Sequence, residues 1–443
     1  MTERGMRWMV LAVILAGAVL SVLAAKALFS DGPYALLNIV TRQGYWQNDR
    51  ARAFAHIIGQ TPPVFAMKLG ERNVIPLIYL YSLGLVAPPV ALWMASLVMH
   101  FKSVLFWVLL LGFSVTHLTS GFCSLGEYNM AYALAAFCFA ITLRPSLGAP
   151  SAIALVLAGL ALTRCYEAMV FIGPVLAFTA ALRLRIRWGL AGLPERLALA
   201  TSIVLYGVAV AIAARSILNP RDPGNLSNAL ATSWILQSRH LLYVTLMIGL
   251  FIAIPALPRG WRVAAVAAAL VASIVYVTGT SFWNPALMSY ASRTVSGVLL
   301  CVAFMIGLLG VRRDRRARHH GGSPWIAALS TMLFLALSVP AAVQTVKYGA
   351  WLKRYEAIAV AQSAWIPIDQ TDAGDEGGYC HGFAWSWTNP SLSIVLRADN
   401  SGGLPNESNH TGWQPFDPRQ APANPLAAFQ RQGSLFGFEL RDR

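Results

Sequence analysis

Six carboxylates stand apart in this chain of 443 residues: Asp31, Asp49, Glu71, Glu127, Glu167 and Asp222 each fall at or just beyond the end of an expected helix. A carboxylate so placed can take a proton from a hydroxyl or amine, pair with an arginine, or cap a helix. Asp31 opens Ser30-Asp31-Gly32-Pro33, and Asp49 sits in Asn48-Asp49-Arg50-Ala51-Arg52. Each reads as an N-cap, Asp31 with Pro33 in the first turn. Each reads equally as a base facing a cavity, and spacing does not separate the two. Asp31 and Asp49 are therefore the candidate catalytic groups, and Glu127 reads as a cap of the block it opens.

The cationic and aromatic candidates lie on the same side. Thr163-Arg164-Cys165-Tyr166-Glu167 interrupts two short blocks. Arg164 and Glu167 can satisfy each other. Alternatively Arg164 binds a phosphate while Glu167 orients it or a sugar hydroxyl. Arg239-His240 and Tyr290-Ala291-Ser292-Arg293 stand at the ends of two further blocks. Arg293 either snorkels or neutralises an anionic headgroup. Trp283 is a belt residue or a sugar-stacking surface. Substrate-binding candidates are thus Arg164, Glu167, Arg239, His240, Tyr290, Arg293 and Trp283. His56 and His117 have no ligand-spaced partner, and no CxxC or Cys/His cluster suggests zinc, so no metal ligand is assigned. A divalent cation is the one cofactor left open. Cys123 and Cys165 map to one face and could pair, while Cys138 and Cys301 read as packing residues.

The elements that must position these residues follow from composition. The chain is 56% hydrophobic and 12% charged, against about a quarter charged in a soluble domain. That excludes a disordered chain, a simple secreted domain and a nucleic-acid-coating protein, despite the net charge of +15. Apolar blocks near 8–28, 74–99, 103–119, 127–143, 149–163, 166–182, 197–214, 241–257, 261–279, 294–311 and 324–345 are each about long enough to span a bilayer core. The expectation is an all-α polytopic membrane protein with about 11 transmembrane helices, kinked in the second at Pro88-Pro89. The first block lacks a polar cleavage region and reads as an anchor, not a removed signal.

With the N-terminus inside, the cytoplasmic segments collect fifteen of the 34 Lys and Arg residues, including the run Arg312-Arg313-Asp314-Arg315-Arg316, against only Glu3, Glu195 and Asp314. This places the six carboxylates and the C-terminus outside. No carboxylate maps to the bilayer midplane, which argues against an ion-coupled transporter. The first external loop, about 29–73, reads as two interfacial helices, the second carrying an apolar stripe at Phe54, Ile57 and Ile58. Residues 1–345 form the transmembrane domain. Residues 346–443 form a small periplasmic domain of irregular α/β or β character, with Trp385, Trp387, Trp413, Phe416 and Phe438 as its aromatic core. The Arg- and Ala-rich composition reads as bacterial, hence an inner-membrane location.

The plan resembles the GT-C superfamily of integral-membrane glycosyltransferases. An entering helix is followed at once by an acidic residue, Asp31. A long first external loop then precedes about a dozen spans and an external C-terminal domain. The resemblance covers residues 1–345. It implies transfer of a sugar from a polyprenyl-phosphate donor to a glycan, lipid or protein acceptor on the external face, with Asp31 as base or acceptor-positioning group and Asp49 second. Many members carry a second acidic residue beside the first; here Gly32 stands there. A lipid-linked saccharide flippase or transporter, or a non-enzymatic assembly factor for envelope polysaccharide, fits the same blocks. An O-antigen polymerase or ligase would lead with external Arg and His residues.

Overall fold

A computed structural model describes residues 2–47, 50–119, 126–220, 239–279, 290–316, 324–361, 383, 389–397, 429–432 and 434–436. Each of the eleven apolar blocks is a helix. They are α1 (Glu3–Leu23), α4 (Val74–Met99), α5 (Leu105–Phe113, continued by a π-turn over Ser114–Leu118), α6 (Glu127–Thr142), α7 (Ala149–Leu162), α8 (Met169–Arg187), α9 (Leu193–Leu218), α10 (Arg239–Ala253), α11 (Arg259–Gly279), α12 (Tyr290–Arg316) and α13 (Pro324–Ala361). The first loop adds α2 (Gly32–Arg42) and α3 (Ala53–Lys68), and the tail adds α14 (Asn389–Arg397). Seven helices are long and apolar enough to cross a membrane: α1, α4, α8, α9, α11, α12 and α13. Three shorter apolar helices lie at Leu105–Leu118, Ala149–Leu162 and Leu242–Ala253. Large apolar side chains stay exposed along α9 and α11, among them Leu193, Leu197, Val204, Val263, Val271, Ile274 and Val275. Such faces suit lipid, whose tails are as apolar as they are.

Helix ends sort into two layers. At one end Trp107 donates to Glu3 (3.1 Å), while Arg7 pairs with Glu3 and lies over the rings of Phe106 and Trp107, tying α1 to α5. The same layer holds His100, whose Nε2 lies 2.9 Å from the Ala140 carbonyl. Here too Arg183 donates to the carbonyls of Thr142 and Arg144 and pairs with Glu195 at 2.6 Å. Arg183 thereby serves carbonyls at the end of α6 that the helix itself leaves unpaired. At the opposite layer lie Asp31, Arg52, Glu127, Glu167 and Arg293.

The first loop folds onto α4 by a close contact. A Cβ on Gly84 would meet the Gly59 carbonyl oxygen at 2.0 Å, so the α3 and α4 backbones touch where only small residues allow it. The buried residues of α3 are Ala53, Ala55, His56, Gly59, Gln60, Pro63, Val64 and Met67. Phe54, Ile57 and Ile58, the expected stripe, are only half-buried. Helix α4 runs on through Pro88 and Pro89 as one element.

The described tail residues pack on this loop. Helix α13 continues past 345 to Ala361, and its Tyr348, Trp351 and Tyr355 join Phe29, Leu36, Trp46, Tyr81, Phe383, Ile394 and Leu435 in one apolar cluster. The Val74 amide donates to the Gln430 carbonyl (3.1 Å) and the Gln430 amide to that of Arg72 (2.9 Å). Glu356 accepts from the Leu435 amide (2.7 Å) and pairs with Arg431. The tryptophans expected to form a tail core lie outside the described residues.

Candidate functional site

Asp31 follows an unusual turn. Ala25 (φ 49°) and Ser30 (φ 57°) both take the left-handed conformation around a tight 3-10 turn, Lys26–Leu28. Non-glycine residues adopt that region at a cost, which the packing around the turn must hold. Asp31 occupies the N-cap position of α2, with Pro33 in the first turn, but its φ/ψ of −70°/−10° is helical and its side chain makes no capping bond. The cap reading of Asp31 is therefore overturned. A capping residue is extended so that its side chain folds back onto the helix amides, and this one is not. Gly32 beside it has no room for any side chain, since a Cβ would lie 1.5 Å from the Ala27 carbonyl oxygen. A second carboxylate at that position is sterically impossible in this turn.

The densest chemistry centres on Arg52. Its Nε donates to both oxygens of Glu167 (2.9 and 3.2 Å), and its Nη1 lies 3.6 Å from Glu127 Oε1. Burial works to lower the Arg52 pKa, but the Glu127 and Glu167 carboxylates outweigh it and hold it above its ordinary value. The guanidinium is thus charged at every accessible pH. His56, one turn further on, places Nε2 at 3.2 Å from Glu127 Oε1, off line for a well-formed hydrogen bond. Gln60, another turn on, holds Trp46 through its amide (2.8 Å) and carbonyl (2.7 Å).

Aromatic rings frame these charges. Tyr128, Tyr132 and Tyr166 pack mutually, with centroids 5.8 to 6.3 Å apart. Arg52 lies over Tyr166 (5.4 Å) and Arg293 over Tyr128 (4.8 Å), and Tyr132 donates to the Arg293 carbonyl. Arg293 is also within electrostatic reach of Glu127, and the buried Tyr81 hydroxyl is within reach of both Glu127 and Asp31.

The structure therefore brings Glu167 and Arg293 into one cluster, and Asp31 is linked to it only through Tyr81, which is within electrostatic reach of both Asp31 and Glu127. Glu167 turns to Arg52 and not to Arg164. Arg164 joins through its backbone, its carbonyl accepting from the Phe54 amide (3.0 Å), while its side chain is exposed. Glu127 is no cap: the N-cap of α6 is Gly126, and the buried Glu127 carboxylate serves Arg52 and His56. Arg239 and His240 are the first residues of α10, which packs on α11 and α13. Tyr290 is the first residue of α12. Asp49, Trp283 and Cys123 lie outside the described residues, and Cys165 is a free, buried thiol. Among the described residues no group of three or more His, Cys, Asp or Glu is placed to hold a metal ion.

Sequence reasoning missed Arg52 as the hub, and with it Gln60 and the three tyrosines. One signal was present: Arg52, His56 and Gln60 recur every four residues, so they line one face of a helix otherwise apolar. No protein-family model matches the chain, and no curated protein or solved structure matches it either.

Proposed function

We propose that this chain is an integral-membrane glycosyltransferase of GT-C plan. It transfers a sugar from a polyprenyl-phosphate donor to a glycan, lipid or protein acceptor on the external face of a bacterial inner membrane. The eleven apolar helices all cross, with the N-terminus cytoplasmic and the C-terminus periplasmic. Asp31, with Asp49 second, takes the acceptor proton. Arg293 and Arg164 neutralise the lipid phosphate, and Arg239, His240, Tyr290 and Trp283 complete the donor site.

One observation carries this reading. The first loop, the 163–167 break and the outer end of α12 meet at the Arg52–Glu127–Glu167 cluster, with Arg293 across Tyr128. Those are the segments a site at the external surface would have to unite. Asp31 supports it further, because it makes no capping bond to its own helix and follows a turn with two residues in the left-handed region, the kind of strain found at functional sites.

The test is sugar transfer by membranes carrying the full chain, given radiolabelled polyprenyl-phosphate sugars. Label appearing in lipid, glycan or protein only when the chain is present supports the assignment. Movement of a lipid-linked saccharide across the bilayer without transfer would instead make the chain a flippase. Neither activity, with loss of envelope polysaccharide on deletion, would make it an assembly factor.

A further inference from the structure

Gln60 is held in one orientation. Its Oε1 accepts from the Trp46 amide (2.8 Å) and its Nε2 donates to the Trp46 carbonyl (2.7 Å). Inverting the carboxamide would set donor against donor and acceptor against acceptor. The second Nε2 hydrogen then has one direction left, toward His56 Nδ1 at 3.4 Å. That nitrogen must accept, so the hydrogen of the neutral imidazole sits on Nε2, facing Glu127. Which ring nitrogen carries the proton is set by what the other one meets. All three residues are buried, His56 at 4% exposure, Gln60 at 1% and Trp46 at 5%, so water is poorly placed to substitute for a lost bond.

From this arrangement we infer that His56 is a proton-sensitive latch on the first loop: neutral, it holds the Trp46 turn against α3; protonated, it releases the turn. A proton added to Nδ1 puts N–H against N–H at the Gln60 contact. Gln60 relieves this by turning over, which breaks both bonds to Trp46. The Trp46 ring, edge-on to both His56 (5.9 Å) and Tyr34 (5.5 Å), then loses its anchor.

The charged groups around His56 are Glu127 on α6, which its Nε2 faces, Arg52 one turn back and Arg293 on α12, which both act on Glu127, and Glu167, which pairs with Arg52. A charged His56 would also draw Glu127 from Arg52, so release of the turn and loosening of Arg52 occur together.

Two measurements on the full chain in lipid nanodiscs test the latch, and neither involves sugar transfer. Nitrogen-15 histidine spectra at pH 7.5 should give His56 the Nε2–H tautomer; an Nδ1–H tautomer overturns the inference, and this needs no variant. Hydrogen exchange of residues 44–47, corrected for intrinsic chemistry, should quicken about tenfold or more between pH 7.5 and 5, in line with loss of two hydrogen bonds. His56→Gln, which does not titrate, should abolish that rise. No rise in the wild-type chain, or an equal rise in His56→Gln, overturns it.

Discussion

Asp31 and Arg52 are the two residues on which the site turns, and they make opposite demands. Asp31 gives its helix no capping bond, so Asp31→Ala should cost none of the roughly 1 kcal/mol that removing an N-cap does. Asp31→Asn should fold as well, yet if Asp31 is the base, transfer should fall by about 10²-fold or more. Transfer at the wild-type rate in Asp31→Asn would remove Asp31 from the chemistry and leave Asp49→Asn as the next variant. Arg52 is structural first. Arg52→Met would leave Glu127, at 4% side-chain exposure, without its main cation. Breaking a buried pair from one side costs about 3–5 kcal/mol, to be read by chemical unfolding in micelles. Glu167→Gln should cost less, since Glu167 is the more exposed partner and Arg52 keeps Glu127. Equal small losses would mean that the cluster is solvated. Asp31 stood out in the sequence as a candidate because it follows an apolar block, and the turn that holds it is local. Arg52 was not, because Glu167 lies 115 residues away and only the fold selects it over the nearer Arg164.

At the scale of elements, α3 explains both what the sequence disclosed and what it concealed. The eleven apolar blocks are all helices, seven of them long and apolar enough to cross a membrane, since a long apolar run has few other ways to satisfy its backbone in lipid. The stripe on α3 reads as the apolar face of an interfacial helix, and its residues Phe54, Ile57 and Ile58 are half-buried. Elsewhere on this helix the small residue Gly59 meets α4, and His56 and Gln60 meet Glu127 and Trp46. The Gly59–Gly84 contact makes this testable through an asymmetry. A Cβ on Gly84 strikes backbone, the Gly59 carbonyl at 2.0 Å, whereas a Cβ on Gly59 meets the end of a flexible side chain, Leu85 Cδ2 at 2.7 Å. Gly84→Ala should therefore push α3 away from α4 and cost about 1–3 kcal/mol, carrying Arg52 and His56 with it. Gly59→Ala should be the milder change. Thermal unfolding of the two variants side by side checks the order, and equal losses would remove the close contact as the cause.

For the whole molecule the question is which layer of helix ends faces which compartment. The fifteen basic residues were read as one topology signal, and the packing divides them by job. Arg183 closes the end of α6 and pairs with Glu195, and Arg7 ties α1 to α5, so neither is retained for orientation alone. Under the proposed orientation, Arg312, Arg313, Arg315 and Arg316 at the far end of α12 would carry more of the orienting weight. Helix α12 has 27 residues, about 40 Å at 1.5 Å per residue, so its arginine run and Arg293 lie on opposite sides of any bilayer it crosses. Helix α13 then returns the chain to the layer of Asp31 and Arg52, where the tail packs on the first loop. Alkaline phosphatase fused after Arg318 should be inactive, and fused after Ala361 active, because the enzyme folds only where disulfides form. The same result at both points would mean that α13 does not cross. An active fusion at Arg318 with an inactive one at Ala361 would invert the orientation. The Arg52 cluster would then face the cytoplasm, and a lipid-linked donor presented on the external leaflet could not reach Asp31.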